Sequence, residues 1–356
     1  MEPDWNTAGV LGAARGANGA DEDTPIGTQH LLAGVCSAKG PAREALDAVG
    51  VTRSAAIAVL RRKRETETAW HGDEGTGPSV AATAVLGDDG SKRDRYTPAA
   101  ATALRSAMRL ARDDGADKLT TEHLLQALLA GDDTGAAELL TLCGSSPQAV
   151  RDRLAGGTPA GDGLDPLLHP TREILLGRAR YQRIGLRKRL IARLAGVQWA
   201  DLPVDWVRHE AGEQAHRLGD RTVRTEHLLL AALAVREVTA AYPHMVNTPD
   251  GATTEPYAGG AELTERGVTY TVLHEALRRG TAELPQDPRS VDDYVAEAVG
   301  LHRSRGDAEQ QQEPEQESPA QATPPPRSTG PLVATLLAEP TRARALVANV
   351  TAERTD

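Results

Sequence analysis

The segment Thr-Glu-His-Leu-Leu occurs at Thr121–Leu125 and again at Thr225–Leu229, and a third copy at Thr28–Leu32 differs only in Gln29. Each copy opens an apolar run with helical spacing, follows an alanine-rich helix-periodic stretch and precedes a further short amphipathic one. The repeating unit is therefore several helices long. Such units bury their apolar faces against one another, so a duplicated helical architecture is the first expectation.

Composition narrows it further. A chain of 356 residues is long enough for two cores of ordinary size. Aromatics make up 3% and phenylalanine is absent, so those cores are built from alanine, leucine and valine, which suits close-packed helices better than sheets. The expected fold class is all-α, with two pseudo-duplicated helical modules. The formal net charge of −10 argues against a protein that coats nucleic acid with its whole surface. No signal peptide is read at Met1–Asp4, and the longest apolar run, Leu228 to Val235, is too short to span a bilayer. A cytoplasmic location with no membrane contact is expected. Cys36 and Cys143 lie far apart outside any Cys-x-x-Cys spacing and read as two buried hydrophobes.

The expected first module is 1–157. It holds one repeat at 1–64 and a second at 96–157, joined by a flexible glycine- and aspartate-rich connection at 65–95. Thr97-Pro98 is a strong helix start, since threonine caps the free amides and proline at the first helical position has none to lose. Residues 158–200 read as a linker with a basic amphipathic segment. The second, divergent module is 201–356, with an irregular insertion at 242–260. A fainter fourth repeat has Gly330 at the glutamate position, and its glutamine- and proline-rich insertion at 306–328 is expected to be disordered.

Catalytic chemistry is not legible. No Gly-Lys pair exists, so a phosphate-cradling P-loop is ruled out. His274-Glu275 lacks the second histidine of a zinc-protease helix, and His209 and His216 would stand about 10 Å apart along a helix, too far to share a metal. Neither a nucleophile elbow nor a dinucleotide fingerprint is present. No cofactor, metal or enzymatic activity is expected.

Tyr96-Thr97-Pro98, the alanine-rich helix after it, Thr121-Glu122-His123-Leu124-Leu125 and the glycine-punctuated helix pair that follows resemble the N-terminal domain of Clp-type AAA+ unfoldases, particularly the ClpC kind. The first repeat is an altered copy, the third carries a long insertion, the fourth is partial, and 165–200 lies outside the likeness. The resemblance implies a docking platform for substrates and adaptors of a Clp unfoldase, here two such modules without an ATPase. It also implies, for some members, phosphoarginine binding by the threonine that opens the first helix and the glutamate of the box. Thr97 and Glu122 match those positions. A carboxylate suits a guanidinium and a hydroxyl at a helix start suits phosphate, although both residues also read as ordinary helix-start groups. Gln29 with Asp4 departs from the pattern, while Glu226 with Asp201 suits a bare cation. The box histidines read as neutral and structural.

From Arg172 to Arg193 eight basic residues face the single acid Glu173. This segment reads first as a connector with solvated arginines; as a contact surface it suits an acidic partner before nucleic acid, with Arg187, Lys188 and Arg189 as the contacts. The combined expectation is a non-enzymatic adaptor, decoy or sequestering partner for Clp substrates or for peptides that target such N-domains. The alternative is a nucleic-acid-associated regulator using 172–193.

Overall fold

The computed structural model describes residues 1–19, 24–70, 77–158, 161–181, 199–246, 255–280, 284–310 and 328–353. Among the described residues the chain is all-α apart from one two-stranded sheet. It divides into two compact units, Met1–Asp162 and Gly163–Asp356.

In the first unit α1 (Trp5–Asn18) packs on α2 (Thr28–Val35), followed by α3 (Pro41–Ala48) and α4 (Arg53–Glu65). After α5 (Ala82–Leu86) come α6 (Pro98–Asp113), packed on α7 (Thr121–Leu129), then α8 (Gly135–Leu142) and α9 (Pro147–Leu154). Every residue of α2 is buried. A helix buried on every side lies in the core, and its polar Thr28 and His30 are tolerated there because they are hydrogen-bonded to Ala136 N and Gly27 N. On α6 the buried set Ala100, Ala101, Ala103, Leu104, Ala107, Met108 and Ala111 follows the helical period. Small residues permit the close approach. A Cβ on Gly34 would stand 2.5 Å from the Val10 carbonyl oxygen, so the α1–α2 contact requires glycine there.

The two repeats of this unit are cross-linked through their backbones. Asp4 N donates to Leu119 O at 2.9 Å, with Pro3 bridged to Leu119; Thr97 N donates to Ile26 O at 3.1 Å, with Ile26 bridged to Tyr96. The segment that opens each repeat thus lies beside the box of the other.

Part of the expected flexible connection is ordered. β1 (Val80–Ala81) pairs antiparallel with β2 (Arg95–Tyr96), and α5 packs on α6 with Ala82, Val85 and Leu86 buried. These elements are two and five residues long, too short for periodicity to reveal. Residues 71–76 lie outside the described residues.

The second unit starts earlier than the expected 201. A 3-10 turn at Pro166–Leu168 and α10 (His169–Leu175), both within the expected linker, belong to it, with Leu168, Ile174, Leu175, Leu176 and Tyr181 buried. Then follow α11 (Pro203–Arg217), α12 (Thr225–Ala241), α13 (Ala261–Glu265), α14 (Tyr270–Arg279), α15 (Val291–Gln310), α16 (Gly330–Ala338) and α17 (Arg342–Glu353). The long box helix α12 packs on α11, α14 and α17. Of the expected insertions, 247–254 and 311–327 lie outside the described residues, whereas α15 extends through Gln310 and Ser328 is buried with its Oγ donating to Glu255 O.

A polar network ties α10 to α11. The fully buried Glu210 carboxylate accepts from Thr171 Oγ1, Tyr181 OH and Gln214 Nε2 at 2.7–2.8 Å and pairs with Arg217 at 3.0 Å; Trp206 Nε1 donates to Tyr181 OH. A buried charge is tolerable only with such a set of donors. Burial, with Glu210 alongside, holds the Tyr181 phenol well above its ordinary pKa.

Candidate functional site

Each letter of the repeated box has a separate structural task. The leucines enter the core. The histidine, third in the helix, accepts a hydrogen bond at Nδ1 from the backbone N–H of the residue before the helix: Gly27 for His30, Thr120 for His123 and Arg224 for His227, at 3.0–3.2 Å. It replaces the glutamate of the usual capping box. An accepting Nδ1 requires a ring that is unprotonated there, and Nε2 of His123 and of His227 faces Asp114 and Asp220 at 3.2 and 3.0 Å. Burial first, then Arg64, lowers the His30 pKa to about 4; burial also lowers that of His227, against the opposing pull of Glu226 and Asp220.

In three of the four copies the threonine fastens the box at or just before the third helix of the other repeat. Thr28 Oγ1 accepts from Ala136 N at 3.0 Å, Thr225 Oγ1 from Ala343 N at 3.1 Å, and Thr329 Oγ1 from Gly259 N at 2.9 Å. The fourth repeat, which lost the glutamate and histidine, therefore keeps the threonine and its task. Sequence reasoning missed this role. The signal was the threonine recurring at all four positions, including Thr329 before Gly330.

The glutamate differs between the copies. Glu122 is half-buried at the start of α7; its Oε2 accepts from Thr121 Oγ1 at 3.2 Å, and its Oε1 lies 3.7 Å from where a Cβ of Gly40 would be, at the start of α3. The free amides there favour a carboxylate. Glu226 is buried and its Oε1 accepts from Arg342 Nε at 2.7 Å. At Glu122 the facing residue is Gly40, which supplies no cation, and the buried Gln29 Oε1 has no hydrogen-bond partner among the described residues.

The crossed backbone bridges reassign the expected pairs. Thr97 caps α6, its Oγ1 accepting from Ala100 N, and stands beside the first box with Gln29, while Asp4 caps α1 and stands beside the second box with Glu122. Thr97 and Glu122, matched by spacing within one repeat, are set apart by α6, about 24 Å long. The expected pairing of Thr97 with Glu122 is thus not made directly: the hydroxyl on Glu122 is that of Thr121, while Asp4 is bridged to Leu119 just before the box and the adjacent Trp5 is 91% exposed. Spacing could not reveal an exchange made by bridges one residue long.

Residues 95–177 match the family model of the Clp repeat (R) N-terminal domain. The likeness is to that segment, under a quarter of the chain. The match starts in β2, takes in α6 to α9 with Thr97 and Glu122, and continues into α10, past the point at which the sequence likeness was expected to end. No curated protein matches the chain.

In the basic segment, Arg172 and Arg178 pair with Glu173 at 2.8 and 3.3 Å, beside the buried apolar residues of the second unit. Arg187, Lys188 and Arg189 lie outside the described residues. Among the described residues no cluster of three or more histidine, cysteine or acidic side chains is placed to hold a metal, and no helix is long and apolar enough to cross a membrane. Both cysteines are buried, and burial pushes their thiols up, Cys143 to about 12.

Proposed function

We propose that the chain is a binding module of the Clp proteolytic system, capturing arginine-bearing protein segments on the box surface of its first unit, with Glu122 as the principal contact. The Clp repeat match supports the system, since domains of this family bind substrates and adaptors of Clp unfoldases. One observation carries the choice of residue: the equivalent glutamate of the second unit, Glu226, holds a guanidinium at 2.7 Å. At Glu122 that place is lined by Gly40, which brings no side chain.

The finer reading is an adaptor, decoy or sequestering partner for Clp substrates or for peptides that target Clp N-domains, working in the cytoplasm without chemistry of its own. The basic segment at 172–193 serves in this reading as a second contact for an acidic partner. In a reconstituted Clp unfoldase–protease reaction, the purified chain changes the rate at which an arginine-bearing substrate is degraded, upward for an adaptor and downward for a decoy. Glu122→Ala removes the change. No effect of the wild type, or an equal effect of the variant, overturns the reading.

A further inference from the structure

In the second unit the box carboxylate already has an occupant. Besides the Nε contact to Glu226, Arg342 Nη1 reaches the carbonyl oxygens of Leu284 and Pro285 at 3.3 Å each. One carboxylate and two carbonyls surround the head group, an all-acceptor lining that matches the all-donor guanidinium. Asp287 stands beside it. Its Oδ1 accepts from Thr225 Oγ1 at 2.5 Å and from Arg342 N at 2.9 Å, and its Oδ2 from Thr225 N at 3.1 Å. The first turns of α12 and α17 direct amides to one point, and the carboxylate of Asp287 fills the place where an anion would otherwise settle. The Glu226 side chain is 2% exposed, and its Oε2 has no hydrogen-bond partner among the described residues.

We propose that Glu226, Leu284 and Pro285 form an arginine-side-chain site that the chain keeps closed with its own Arg342, and that the ligand class of this site is an unmodified guanidinium. The inference rests on the reading that the box glutamate is a docking group. Arg342 is fixed at the first turn of α17, so it engages one oxygen of Glu226 and leaves the other unsatisfied. A side chain approaching without that tether can engage both in a fork. A phosphoryl group on the guanidinium would meet the Asp287 carboxylate and two carbonyl oxygens, so the same lining that takes arginine rejects phosphoarginine. The second unit is thus a docking site occupied in cis, and only the first unit presents its box glutamate to partners.

The test uses the full chain as wild type, as Arg342→Ala and as the double variant Arg342→Ala with Glu226→Gln. The probe is N-acetyl-arginine amide, with the lysine analogue and phosphoarginine as controls, read by calorimetry and thermal melting. Arg342→Ala binds the arginine probe at least about tenfold more tightly than wild type and melts higher in its presence, whereas the double variant responds to nothing. Where Arg342→Ala alone does not fold, the probe restores its helical circular dichroism. Equal responses of wild type and Arg342→Ala overturn the proposal, as does an Arg342→Ala protein that neither binds the probe nor refolds with it. Tighter binding of phosphoarginine than of arginine, or a response by the double variant, also overturns it. These outcomes concern Glu226, while the degradation assay concerns Glu122, so the two readings fail separately.

Discussion

Glu122 and Glu226 hold the same place in the same box, yet one is a half-exposed carboxylate at an open helix start and the other is buried around an internal arginine. The difference is made elsewhere in the chain. In the second unit the third helix of the partner repeat begins with Arg342; at Glu122 the corresponding helix begins after a glycine, at Pro41. A repeated motif therefore fixes what a residue is attached to but not what it meets, and the same glutamate is paired with an arginine in one copy and half-exposed beside a glycine in the other.

Removing each glutamate should separate the two most widely. Glu226→Ala leaves Arg342 mostly buried without its charge partner and is expected to cost about 3–5 kcal/mol, against about 0.5 kcal/mol or less for Glu122→Ala. Urea denaturation followed by unit-resolved hydrogen exchange measures both. Similar costs would break the comparison.

Acid should then divide the units through their capping histidines. The folded-state pKa of His30 lies near 4, below the ordinary 6.5, so its contribution is complete above pH 6.5 and is lost as pH falls toward 4. The loss amounts to about 3 kcal/mol. His227 shifts in the same direction, but Asp220 at 3.0 Å opposes the shift. The first unit is therefore expected to open first as pH is lowered, and His30→Gln to flatten its pH dependence. Equal acid sensitivity of the two units would remove this distinction.

The smallest effect tests what the units share. Thr28→Val and Thr225→Val each leave a helix-start amide without its acceptor and should cost about 1–3 kcal/mol in their own unit, Thr225 more because Asp287 also loses a donor. A Thr225 variant no more costly than the Thr28 variant would argue against Asp287 as part of the closed site.

The helices were legible because the box, its flanking alanine runs and Thr97-Pro98 carry helical period and capping chemistry over many residues. The site was legible only in its parts. Glu122 and Glu226 could be named from the motif, but the contact between Glu226 and Arg342 joins residues 116 positions apart. The exchange of Thr97 and Asp4 between boxes depends on two short backbone bridges, which leave no pattern in side-chain order. Residues 77–95 misled for a related reason: glycine and aspartate surround strands of two residues, and the loop composition hid the pairing of Val80 with Tyr96.

The bridges that carry Asp4 to Leu119 and Thr97 to Ile26 also determine how this protein can be divided. A single repeat of the first unit, cut free, loses both of its backbone bridges, and the first repeat also loses α8, on which Thr28 is fastened. The first unit is therefore expected to fold as a whole twice as long as its sequence repeat, so truncations and duplications there should be tolerated in pairs of repeats and not one repeat at a time.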